Sequence, residues 1–459
     1  MRKYLLMLLL LYTHLLSSEI IIKNTDSSYK DFEIDFYHDK TKKLGIDKIQ
    51  DIKEFQKTSN KIALGKIDGS IWYKFSIKNI TKVTQQRVFF ITESTLYDFD
   101  LFVVDNKKVI MRQSIRDNIL NNGAVTGHFP ELQISLNSQE KIDIYFRVNS
   151  HFHHTYKVEV NTMKDLVEYK VLKTSLLFFY FGAVASLLLY NLFIYLITRD
   201  GNYLLYAGFV FFYLLAQAQL NTSLNTIFSS LETAFLISTA HIFWIAFHTL
   251  FSIKLLNIHE YYPKFSKSLL YIGYFILANG IFGLYDLEIA VDMMMPFMLI
   301  LPFVLLFSAI KLHQKKNKIA MFYIIAQTLF LVSSFIFGLL VSGVLEYNNF
   351  TRYIHLAGSF SEIILFSFAL AYKTRLVMKV NEKQKEMIND YSKLTYIGET
   401  MVNIYHQWKS PVNNIFNYIT HIETAKEFKD KDIDKIIDIN LNKIKENTQY
   451  LREIGRAHV

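Results

Sequence analysis

Seven apolar runs, each about long enough to cross a bilayer, crowd the stretch between residues 174 and 372. They cover 174–197, 203–220, about 233–253, 269–287, about 290–310, 319–344 and 353–372. The segments on either side read as ordinary soluble protein, so a single soluble domain is excluded. The third and seventh runs are the least clean, because His241, His248 and Glu362 interrupt them.

Loop charge orients the runs. With residues before 174 outside, the inner loops 198–202, 254–268 and 311–318 carry Arg199, Lys254, Lys264, Lys267, Lys311, Lys315, Lys316 and Lys318. The outer loops 221–232, 288–289 and 345–352 carry only Arg352. Lys373, Arg375 and Lys379 open the C-terminal tail on the inner side. The N-terminus agrees: Arg2 and Lys3 precede an apolar run over 4–11, then Leu15, Leu16, Ser17 and Ser18. That layout predicts a signal peptide over residues 1–18, and the run is short for an uncleaved anchor. The net charge of +9 comes from Lys and Arg scattered without a basic stripe, which argues against a nucleic-acid partner. With no cysteine, disulfides, thiolate metal sites and a cysteine nucleophile are excluded.

Ionisable residues inside membrane spans are costly and point to function. His241 and His248 lie seven apart, on one helix face with Trp244 between them; His355 and Glu362 share that spacing on the last run. A proton relay or ligand pocket is one reading, and interhelical hydrogen bonding is the ordinary one.

Residues 19–170 alternate in short strands. Ile71, Tyr73, Phe75 and Ile77 recur every second residue, as do Tyr97, Phe99, Leu101 and Val103, and Ile142, Ile144, Phe146 and Val148. The pattern predicts an antiparallel β-sandwich with one face of each sheet buried. His151, His153 and His154 form a local cluster that a metal would find incomplete, so an exposed polar loop or strand end is expected there and no metal site is assigned.

Beyond the last run the pattern turns heptad-like. Val377, Val380, Met387, Tyr391, Leu394, Met401, Tyr405 and Trp408 fit a three-four step, with Gln384 and Gly398 at two seam positions and Ile397 and Ile404 one residue off. That predicts a coiled-coil signalling helix over 373–395 that pairs with a second copy. A hairpin over 396–452 follows, with a polar turn at 429–432 and a second helix marked by Ile433, Ile437, Leu441, Ile444, Thr448 and Leu451. Two hairpins would make a dimeric four-helix bundle. His406 falls beside the seam and is expected to be accessible. Pro411 has no amide hydrogen, so the carbonyl of Gln407 loses its helical partner and a bend is expected one turn after the histidine. A lone helical histidine is ordinarily a solvated surface residue; a neutral imidazole beside a bend also suits a phosphoryl acceptor.

The stretch with Gly398, Glu399, Ile404, His406, Gln407, Trp408, Pro411 and Asn413 resembles the H box of sensor histidine kinases, in the subtype reading Gly-Glu-Met…Ile-Ala-His-Gln-Trp-Arg-Gln-Pro-Leu-Asn. Tyr405, Lys409, Ser410 and Val412 depart from that pattern. Most histidine kinases place an acidic residue after the histidine; this subtype usually has glutamine, as Gln407 here. The resemblance implies His406 as phosphoacceptor, Gln407, Pro411 (helix bend) and Asn413 as its site companions, and a response-regulator receiver domain as partner.

The seven runs behind a sandwich also resemble the bacterial seven-transmembrane receptors with diverse intracellular signalling modules (7TMR-DISM). The stretch from Gly69 to Asn79, with Trp72, looks like that family's Trp-containing strand. This resemblance implies a multidomain membrane protein: an all-β jelly-roll-like extracytoplasmic sandwich, a seven-helix transmembrane bundle and a cytoplasmic output. It also implies ligands such as carbohydrates and a multi-pass location in the bacterial inner membrane, with the N-terminal domain periplasmic and the C-terminus cytoplasmic.

A histidine kinase takes ATP and Mg in a catalytic domain with an Asn-rich helix and Gly-rich lid. The stretch after His406 holds one glycine, Gly455, so no nucleotide site can be built there and the chain alone should be inactive. Residues 453–459 match a reading frame of a common sequencing-adapter oligonucleotide, which leads to the expectation of a C-terminally truncated kinase. The alternative is a non-catalytic receptor or phosphorelay scaffold phosphorylated in trans. A transporter would show paired charges or repeated broken helices; Pro296 and Pro302 have no repeated counterpart.

Overall fold

The computed structural model describes residues 18–92, 98–116, 131–149, 153–221, 239–428 and 432–457. The expected signal peptide lies almost wholly outside them, as do His151 and most of the hairpin turn.

An all-β region comes first. Its larger sheet runs β3 (Gln56–Ser59), β2 (Glu33–Asp39), β5 (Ser70–Asn79), β10 (Lys141–Asn149), β7 (Asp98–Asp105), β8 (Lys108–Arg116), with β1 (Glu19–Ile22) added parallel to β5. The smaller runs β4 (Lys61–Gly65), β11 (His154–Asn161), β6 (Gln85–Ile91), β9 (Glu131–Leu136). The period-two sets explain the layers. Ile71, Tyr73, Phe75 and Ile77 are buried with Ile142, Ile144, Phe146 and Val148 in one core. Phe99, Leu101 and Val103 join them, while Tyr97 lies outside the described residues. The smaller sheet contributes Phe89, Ile91, Ile134, Tyr156, Val158 and Val160 to the same core. The Tyr156 hydroxyl donates to that of Tyr73 at 3.0 Å, which satisfies a polar group that burial would otherwise penalise.

Trp72 points the other way. It stacks on Phe102 across a ring distance of 5.8 Å, on the outer face of the large sheet, where Ile49 of α1 (Ile46–Ile49) covers it. The alternation of β5 therefore buries both faces, one in the sandwich core and one under a surface segment.

The sandwich ends earlier than the apolar pattern indicates. Helix α2 (Met163–Thr198) starts directly after β11, with Thr162 accepting the Asp165 amide at its N-terminus. Its first turns are polar and escape an apolar count, yet Leu166 packs on Val88 and Phe90 of β6. Then come α3 (Gly201–Leu220), α4 (Ala240–Leu255), α5 (Ile258–Tyr261), α6 (Pro263–Phe282), α7 (Leu287–Gln314), α8 (Ile319–Val341), α9 (Asn349–Glu427) and α10 (Ile433–Ala457). Among the described residues, five helices are long and apolar enough to cross a membrane: α2, α6, α7, α8 and α9. The fourth run is offset from α6, which starts on Pro263 at its first turn and stops before residue 283.

α4 carries the centre of the helical core. Ile242, Ile245, Ala246, Leu250, Phe251, Ile253 and Leu255 are buried on it, whereas α2 buries only Leu166, Tyr180, Val184 and Asn191. A short helix buried nearly all round belongs in a bundle interior. The sandwich meets this core through backbone. Gly65 (φ +70°) and Gly343 (φ +79°) face each other so closely that a Cβ on Gly343 would lie 2.9 Å from the Ala63 carbonyl oxygen. Only glycine takes that left-handed conformation without strain and leaves the gap open.

The chain divides into two compact units, residues 1–373 and 374–459.

Candidate functional site

In the second unit, His406 is exposed on α9, with its ring edge-on to Tyr405 at 5.8 Å. Gln407 and Asn413 are exposed on the same helix, and Pro411 is buried within it. The helix is unbroken through Pro411, so the sequence-expected bend does not interrupt helical structure there. A proline inside a helix still removes one hydrogen bond, at the Gln407 carbonyl. The seam residues Val377, Val380, Met387, Tyr391, Leu394, Met401 and Tyr405 are all more than half exposed in the single chain. Within the hairpin, Asn440 meets His421 Nδ1 at 3.2 Å and Lys443 lies 5.4 Å over the Tyr418 ring, so α10 folds back on α9. Glu453 to Ala457 belong to α10.

In the first unit, the last apolar segment ends on a charged clamp. The Lys373 ammonium donates to the carbonyls of Lys254 at 2.5 Å and Leu255 at 3.1 Å, and to Asn257 Oδ1 at 2.7 Å. These carbonyls close the C-terminal end of α4, where the dipole favours a cation; the Lys254 carbonyl also accepts the Asn257 amide at 3.4 Å. Lys373 was legible as an orientation signal only; its cap role needs partners more than a hundred residues away.

The ionisable residues within the apolar runs separate in the structure. His248 and His355 are buried, as is Glu362 at 1 % exposure, while His241 is half-buried. His355 Nε2 meets Gln217 Oε1 at 3.1 Å, an interhelical hydrogen bond of the ordinary kind. His248 and Glu362 come from different helices and approach to 3.7 Å, too far for a hydrogen bond.

The sandwich corrects one expectation. His154 lies at a strand end, one of the two expected placements, but is fully buried and not exposed, and neither ring nitrogen finds a hydrogen-bond partner. It begins β11, across from Gly65 at a bulge in the β4 pairing. Burial, helped by the charges of His153 and His38, pulls it down to about 4. Among the described residues, no three His, Asp or Glu side chains converge as a metal site.

Two family models match the chain. One, described as 7TM diverse intracellular signalling, matches residues 173–373; the other, described as 7TMR-DISM extracellular 2, matches residues 32–162. Both models describe domains of the 7TMR-DISM receptor family. The 7TMR-DISM extracellular match falls on the β-rich region and ends as α2 begins. The transmembrane match runs from the first third of α2 to the Lys373 clamp. No curated protein matches the chain.

Proposed function

We propose that this 7TMR-DISM receptor is the sensor of a two-component system: a membrane histidine kinase that is phosphorylated on His406 and passes the phosphoryl group to a response-regulator aspartate. The observation that carries the reading is the H-box pattern from Gly398 to Asn413 around an exposed imidazole. A neutral ring nitrogen of His406 attacks the γ-phosphorus of ATP; the N–P bond forms, the P–O bond to ADP breaks and the ring gives up its proton. A receiver-domain carboxylate oxygen then attacks phosphorus and the N–P bond breaks. ATP and Mg belong to a catalytic domain, and no residue of this chain is assigned to hold them. Gln407, with no charge, serves by hydrogen bonding, and Pro411 leaves the backbone after His406 more deformable.

The exposed seam supports a homodimer, since a row of large apolar side chains on a soluble helix calls for a partner. Loop charge supports seven passes in the inner membrane, with the sandwich periplasmic and His406 cytoplasmic. The family resemblance supports an extracytoplasmic ligand of the carbohydrate class. Signal would pass from the sandwich through the Gly65–Gly343 contact into the helical core.

The test is His406→Gln in the full-length gene product, incubated with labelled ATP. The wild type should take up acid-labile, base-stable phosphate and the variant none. Undiminished uptake by the variant refutes the assignment.

A further inference from the structure

Glu362 is a carboxyl group in the middle of an apolar helix, at 1 % exposure, and neither of its oxygens has a hydrogen-bond partner. A lone carboxylate ion in such a setting costs several kcal/mol, so its charge must be balanced locally. The two nearest cations of its own helix are committed elsewhere. Arg352, ten residues earlier and so about 15 Å along the axis, lies against the Phe337 and Tyr353 rings. Lys373, eleven residues later, caps α4. Among the described residues, the basic group within reach is the His248 imidazole, whose Nε2 stands 3.7 Å from Glu362 Oε1 and is itself buried.

Among the described residues, the helices packed around this point contribute polar or titratable groups and no further charge. From α8, the neutral Gln327 amide lies beside the imidazole, and Tyr323 hydrogen-bonds Ser252 of α4 at 2.9 Å. From α3 come Tyr206, which donates to the Ile363 carbonyl at 2.8 Å, and Tyr213, whose hydroxyl is unpartnered. From α2, Tyr180 meets Ser359 of α9 at 3.1 Å. His355, two turns away on α9, is occupied by Gln217.

We propose that His248 and Glu362 together bind one exchangeable proton, so that the helical core of this receptor contains a proton site. With one proton the pair is neutral overall, wherever between nitrogen and oxygen the proton sits. Removing it leaves a bare carboxylate among phenol rings; adding a second leaves an imidazolium without a counter-ion. Either change alters the attraction between α4 and α9 at a level where α9 is otherwise held by neutral hydrogen bonds. Glu362 sits on the helix that also carries Lys373, so the proton is a second chemical input to that helix besides any ligand of the sandwich. The inference rests on the membrane reading of these helices and not on phosphotransfer at His406.

Infrared difference spectroscopy of the full chain in lipid nanodiscs, stepped between about pH 5 and pH 9, reads protonated carboxyl groups directly. A carboxyl band that follows pH is expected, absent from Glu362→Gln and displaced by at least about one pH unit in His248→Gln. If Glu362→Gln does not fold, the displacement in His248→Gln decides alone. The proposal is overturned by a band that survives Glu362→Gln, by an unmoved midpoint in His248→Gln, or by no titrating band at all. It is equally overturned by a band that answers to sodium and not to pH, which would put a metal cation in the proton's place.

Discussion

His154 shows how a single side chain ties the sandwich to pH. Its folded-state proton affinity is depressed, to about 4, while the unfolded chain titrates near the ordinary 6.5. Between those values the unfolded state binds more protons, so stability falls as pH falls. The contribution is complete above about pH 6.5 and decays toward pH 4, by up to ~3 kcal/mol. Amide exchange in β4 and β11, corrected for intrinsic rates, should speed up over that window, and His154→Phe should flatten the response. An unchanged pH profile in the variant removes His154 from the account. Lys373 gives a second prediction at this scale. Lys373→Met keeps the stem but strips the donors from the α4 carbonyls, and should cost about 2 kcal/mol. Thermal unfolding in nanodiscs measures it; a melt equal to the wild type would make the clamp ornamental. Neither role was readable from sequence. The cluster of His151, His153 and His154 looked polar and exposed because local pattern says nothing of the bulge opposite Gly65 that buries one of them.

Among elements, the strands were the most legible. The alternation of Ile71, Tyr73, Phe75 and Ile77 depends only on the two-residue repeat of a strand, and these four side chains do line the core. What the repeat could not reveal is that Trp72 between them is also buried, since the cover comes from a separate segment around Ile49. Helix ends were less legible, because hydropathy sees the apolar stretch and not the polar turns that extend it. α2 begins at Met163, where Thr162 caps it, and not at the first apolar residue of its run. The seam of α9 supplies the prediction at this scale. The chain has no cysteine, so one introduced thiol reports alone. Leu394→Cys should form a disulfide-linked dimer under mild oxidation, and Asn389→Cys, on the outer face of the same heptads, should do so at least about tenfold more slowly. Equal rates would contradict the seam.

At the scale of the whole molecule, the order of parts was legible: a β-rich region, then apolar helices, then a more polar helical tail. The reason is that each part carries a different period or composition, and no long-range contact is needed to tell them apart. What was not legible is how the parts are joined. The Gly65–Gly343 contact pairs residues far apart in sequence, and each glycine alone looks like an ordinary turn residue. The convergence of His248, Glu362 and Gln327 from three helices is likewise a product of packing; the regular spacing of His248 and Glu362 on their own helices hinted at function but not at each other. The central claim couples the identity of the phosphoacceptor to the side of the membrane on which it lies. Sealed vesicles of the full-length protein, prepared in both orientations and given ATP only outside, test both at once when the phosphopeptides are mapped under conditions that preserve phosphohistidine. The account predicts phosphate on the peptide containing His406, and only in inside-out vesicles. Phosphate on another residue, or on His406 in right-side-out vesicles, would contradict it.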